Sequence, residues 1–141
     1  MSSLSFPDIN VWLALATAEH IHAGAARRWW EAETGFIAFC RTTQMGFLRL
    51  MTTAAAMDGK PLTTNEAWSV HDRLFDDDRV RFITEPAGVE SAFRESTAGQ
   101  TPSPKLWGDA WLLAFARCAE GTLVTFDRAL AARGGHCLLL E

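Results

Sequence analysis

Five short apolar runs, Leu4 to Ile9, Phe36 to Phe39, Val80 to Ile83, Thr122 to Phe126 and Cys137 to Leu140, are separated by longer segments with apolar residues at helical spacing. This alternation constrains the chain more than any other feature. Parallel strands need crossover helices, and those helices cover both faces of the sheet. The expected fold is therefore α/β, an α/β/α sandwich with a mostly parallel central sheet. Helices are expected roughly from Val11 to Thr17, Ile21 to Glu33, Thr42 to Met57, Asn65 to Phe75, Pro86 to Ala98 and Trp107 to Glu120, with Gly35, Gly59 and Gly121 as stops. At 141 residues and 48% hydrophobic, the chain has enough for one sizeable core and too little for two ordinary domains, so residues 1–141 read as one domain.

The formal charge of -4 excludes a whole-molecule positive field, so nucleic-acid binding would need a local patch. Cys40, Cys118 and Cys137 are odd in number and lie among apolar residues, which suits reduced thiols in a reducing cytosol. The apolar stretch from Leu4 to Ala16 is interrupted by Pro7, Asp8 and Asn10 and lacks a basic start, so it fits neither a secretory signal nor a membrane span. A cytoplasmic protein is expected.

Three acids stand where strands give way to helices: Asp8 after the first run, Asp127 after Leu123-Val124-Thr125-Phe126, and Asp109 in the first turn of an apolar helix. In a parallel α/β sheet such positions gather along one edge. Clustered carboxylates repel and raise one another's pKa unless a cation neutralises them, and all-oxygen ligands select magnesium or manganese over zinc. Each acid alone also fits a plain helix-cap or first-turn role. Spacing leaves both readings open.

The runs Pro7-Asp8-Ile9-Asn10-Val11-Trp12-Leu13-Ala14-Leu15, Thr43-Gln44-Met45-Gly46-Phe47-Leu48-Arg49-Leu50, Trp107-Gly108-Asp109-Ala110-Trp111-Leu112-Leu113 and Leu123-Val124-Thr125-Phe126-Asp127-Arg128 together resemble a PIN domain, more narrowly a VapC toxin. The resemblance implies a Mg2+-dependent ribonuclease, with Mn2+ as a possible substitute. It further implies the toxic half of a type II toxin-antitoxin pair, usually a homodimer, held inactive in a hetero-oligomer with a VapB-type antitoxin. Carried over by position, the catalytic and metal-binding residues are Asp8, Asp109 and Asp127, with Asn10 and Thr125 in supporting roles. Many PIN nucleases have a glutamate in the second motif, where this chain has neutral Gln44; an amide oxygen still suits a metal or its water, and any second ion would be held weakly.

Candidate phosphate contacts for an RNA substrate are Arg27, Arg28, Arg41, Arg49, Lys105 and Arg128, and Trp107 is the tryptophan placed for base stacking. Trp12, Trp29, Trp68 and Trp111 fit packing against the core or a partner. Glu19, His20 and His22 offer too few ligands for a transition metal, and a role in a loop or helix entry is expected of them. Two other functions stay open: a haloacid dehalogenase-like phosphatase, for which Asp-Ile-Asn is an imperfect motif, and a catalytically silent partner-binding module signalled by Gln44.

Overall fold

A computed structural model describes residues 3–141. Its elements run β1 (Leu4–Pro7), α1 (Ile9–Ala16), α2 (Ala23–Ala32), β2 (Phe36–Phe39), α3 (Arg41–Met51), α4 (Thr64–Leu74), β3 (Val80–Phe82), α5 (Val89–Thr97), α6 (Leu106–Cys118), β4 (Thr122–Thr125), α7 (Arg128–Ala132) and β5 (Cys137–Leu139). The five strands form one sheet in the order β3-β2-β1-β4-β5, and every pairing is parallel.

Successive strand residues point to opposite faces, and both faces are apolar. Ile37, Phe39 and Val124 join Val11, Trp12, Trp29, Phe47 and Met51 in a core under α1 to α4. Phe6, Ala38 and Leu123 join Val89, Leu112, Phe115 and Leu130 under α5 to α7. The result is the three-layer sandwich. Trp12 lies flat on Phe39, with ring centroids 3.8 Å apart. No described helix is long and apolar enough to cross a membrane.

Several boundaries differ from expectation, each for a local reason. The helix expected from Thr42 to Met57 stops at Met51. The Thr52 and Thr53 hydroxyls donate back to the carbonyls of Leu48 and Arg49, and residues 54–59 turn, ending with Asp58 and Gly59 at positive φ. The helix expected from Pro86 begins at Val89, because Gly88 takes a left-handed conformation at its cap. Instead of starting at Ile21, α2 starts at Ala23, leaving residues 17–22 as a non-helical loop. The five-residue helix α7, absent from the sequence expectation, is capped by Asp127, whose carboxylate accepts from the backbone N–H groups of Ala129 and Leu130. In the Thr43 to Gly46 motif, Thr43 Oγ1 accepts the Cys40 N–H. Gly46 is where α3 meets α1, since a Cβ there would stand 2.2 Å from Ile9 Cδ1.

Candidate active site

The strand order places the topological switch between β1 and β4, where chain connections diverge and a crevice opens at the carboxyl ends of the strands. The register pairs Pro7, the last residue of β1, with Val124, so Asp8 emerges beside Thr125, the last residue of β4. The Asp8 N–H then donates to Val124 O at 2.9 Å. Asp109 reaches the same crevice from the first turn of α6, and Asp127 from the cap of α7. A cleft of about 560 Å³ results, lined among others by Asp8, Asn10, His20, Ile21, His22, Lys105, Asp109, Phe126 and Asp127.

Capping and cleft-lining prove compatible roles. Asp8 Oδ1 accepts the Val11 N–H at 3.1 Å and caps α1, while Oδ2 accepts the Thr125 hydroxyl at 2.5 Å. Thr125 is fully buried, and its Oγ1 also accepts the Asp127 N–H at 3.0 Å, so one hydroxyl ties the Asp8 side chain to the Asp127 backbone. Asp127 spends Oδ1 on its own helix and turns Oδ2 to Lys105 Nζ, 2.8 Å away.

The three carboxyls differ electrostatically. Burial raises the Asp8 pKa above the ordinary value, and the Asp127 charge adds to the rise. Burial also raises Asp109, against a partial offset from Lys105. Asp127 is held below the usual range, first by its hydrogen bond from Lys105 and then by the backbone donors of α7. Lys105 is raised in turn, chiefly by Asp127 and also by the charges of Asp109 and Asp8.

Among the described residues, no three His, Cys, Asp or Glu side chains already stand together as a metal-holding group. The acids share a cleft, with Thr125 engaging Asp8 and Lys105 engaging Asp127. The donor set is nevertheless all-oxygen, two of its carboxyls resist ionisation, and mutual repulsion contributes to both shifts. Those properties fit a hard divalent cation.

Of the remaining candidates, one lies at the cleft and the others lie elsewhere. Asn10 is exposed at the cleft. Gln44 does not line it: its amide meets His71 Nε2 at 3.2 Å and accepts from Arg41 Nη1 at 2.5 Å. Arg41 lies over the Phe82 ring at 4.6 Å, Arg49 is exposed on α3, and Arg27 and Arg28 are exposed on α2. Arg128 pairs with Glu141 at 2.6 Å. Trp107 is exposed and packs edge-on against Phe93, beside Glu90 and Arg94, in a depression separate from the acid cleft.

Sequence reasoning missed the lip of the cleft. The loop after α1 brings in His20, Ile21 and His22, with Ile21 89% exposed and the His22 ring stacked on Phe126 at 4.4 Å. His20 Nδ1 accepts the His22 N–H, and burial together with His22 lowers the His20 pKa. The contact of His22 with Phe126 spans most of the sequence, and no local pattern announces it.

The chain matches the PIN domain family over residues 5–135. It is 42% identical to Ribonuclease VapC41 of Mycobacterium tuberculosis, over 91% of this chain and 92% of that protein. Identity to Ribonuclease VapC29 of the same species is 35%, over 94% and 92%. Among solved structures, M. tuberculosis VapC20, described as a sarcin-ricin loop cleaving toxin, superposes with a TM-score of 0.67 at 17% identity, over 92% of this chain and 95% of that one. Rickettsia felis VapBC2, bound to a promoter DNA fragment, gives 0.66 at 12% identity over 98% and 99%. At those identities the structural matches speak for the fold.

Proposed function

The chain belongs to the PIN-domain family, in its VapC branch, and from that premise we propose that it is a magnesium-dependent endoribonuclease, the toxin of a VapBC-type toxin-antitoxin pair acting in the cytoplasm. The observation that carries this reading is the meeting of Asp8, Asp109 and Asp127 in one cleft at the switch point of the sheet. The relatives support it, since those at 42% and 35% identity are named ribonucleases.

Asp8, Asp109 and Asp127 would hold Mg2+, with Mn2+ as a substitute. Bound there, the ion supplies a Lewis acid that lowers the pKa of a water and offsets charge on the phosphoryl oxygens. The protein's own residues do the positioning. Thr125 and the N-terminus of α1 fix both oxygens of Asp8, and the start of α7 fixes Asp127. Lys105, exposed and already in the cleft, is placed to exchange Asp127 for a substrate phosphate. The partners proposed are single-stranded RNA, a cognate VapB-type antitoxin and a second copy of the chain.

Cleavage of single-stranded RNA in Mg2+, abolished by EDTA and by Asp8→Asn, tests the proposal. Attack by water gives 5′-phosphate and 3′-hydroxyl ends, so a 2′,3′-cyclic phosphate product contradicts the mechanism. One observation favours a second reading, a catalytically silent partner-binding domain: Gln44 is engaged by His71 and Arg41, away from the acids. Antitoxin binding without metal-dependent cleavage would select it. The PIN-domain match displaces the phosphatase alternative.

A further inference from the structure

A chain with a formal charge of -4 must meet a polyanion through a local patch. The acid cleft offers little of one, since Lys105 is its only Lys or Arg among the lining residues and is paired. Further along α6 lies a second cavity of about 510 Å³, between α5, α6 and the loop from α7 to β5. Arg117, Arg133 and His136 line it, with Gly134 and Gly135 between the last two.

We propose that this second cavity binds a backbone phosphate of the RNA strand whose scissile bond lies in the acid cleft. The inference rests on the ribonuclease reading and adds the path of the substrate. Both sites share α6, with Asp109 and Leu112 lining the cleft and Leu113 and Arg117 lining the cavity. They meet at α7 as well, with Leu130 of the helix on the cleft side and Arg133, which follows its last residue, on the cavity side. Asp109 to Arg117 spans about 12 Å along the helix, roughly two to four nucleotides of strand.

The donors are available. Arg117 touches Glu95 at 3.3 Å in an exposed pair, a contact of little net strength, and Arg133 reaches Ser96 O only at 3.5 Å. Each guanidinium keeps further N–H donors suited to phosphate oxygens. The loop lies close on α6 between Arg133 and His136, since a Cβ on Gly134 would stand 3.1 Å from Leu113 Cδ2.

The test measures binding of a fluorescein-labelled 12-nucleotide single-stranded RNA to the full chain in EDTA, across a series of NaCl concentrations. The Arg117→Gln, Arg133→Gln double variant is expected to bind about tenfold more weakly, and the slope of log affinity against log salt should fall by about 0.7 for each phosphate that is no longer neutralised. Glu95→Gln removes the one acid of the cavity and is expected to bind more tightly, a change that damaged folding does not produce. Unchanged affinity and slope in the double variant, with cleavage by the wild type in Mg2+ intact, overturn the phosphate site and leave the ribonuclease reading standing. Absence of both RNA binding and cleavage in the wild type overturns both.

Discussion

Asp8 and Asp127 share a residue type, a helix-cap role and a cleft, yet they sit in opposite electrostatic states. Asp8 forms the floor: it is 8% exposed, its partners are a hydroxyl and a backbone N–H, and burial makes its charge unfavourable. Asp127 forms the rim: it is more open, and Lys105 already supplies a cation. Capping alone therefore does not set an acid's charge state; the depth of the site and its nearest cation do. On the floor, where burial disfavours the charge, no cation is paired with the carboxylate.

The largest expected break in this comparison is Asp8→Asn. Cleavage in Mg2+ should fall by at least about a thousandfold, in line with the several kcal/mol a bound metal contributes to the transition state. The fold should stand, because Asn also caps helices. The Asp8 pKa is raised in the fold, so its contribution favours the protonated state and stability is lost as pH rises through the folded pKa. In EDTA at neutral pH the variant should thus melt higher than the wild type, and the gain should vanish as pH falls below the ordinary carboxylate range. Asp127 has the opposite sign: with a lowered pKa, its contribution is present above the ordinary value and disappears on acidification through the folded one. A melting curve against pH for Asp127→Asn should show its largest deficit at neutral pH.

Thr125→Val removes the hydroxyl that joins floor and rim, leaving Asp8 Oδ2 and the Asp127 N–H without that partner. A loss of about 1 to 3 kcal/mol in urea unfolding is expected, with activity down about 10- to 100-fold. The smallest effect expected is that of Lys105→Met. As an exposed pair, Lys105 and Asp127 add little stability, so melting should barely move. Calorimetric titration should instead show Mg2+ binding the metal-free variant several-fold more tightly, since a competing positive charge is gone. Unchanged or weaker Mg2+ binding would show that Lys105 does not set the state of the rim.

Repeating patterns were legible in the sequence, and contacts across it were not. Short apolar runs and helical spacing gave the strands and the long helices, while the capping box of Thr63 and Glu66 that starts α4 at Thr64 went unread and the helix was expected from Asn65. Helix α7 escaped because five residues hold too little periodicity to read. The Thr52 and Thr53 hydroxyls end α3 although the apolar pattern continues. The acids were legible because strand ends in a parallel sheet converge wherever they lie in the chain. The pairing of Lys105 with Asp127, the turn of Gln44 toward His71 and the placement of His22 on Phe126 depend on partners 22 residues apart or more. Trp107 drew notice for its closeness to Asp109 in sequence, but it packs edge-on against Phe93, away from the acid cleft.

The response of thermal stability to magnesium reads the charge on the floor of the cleft most directly. A ligand that binds only the folded state raises the melting temperature with its concentration. Adding Mg2+ to metal-free protein at neutral pH should raise the melting temperature of the wild type progressively and leave that of Asp8→Asn almost unchanged. An equal rise in both proteins, or none in the wild type, would contradict the assignment of Asp8 as a ligand for the ion.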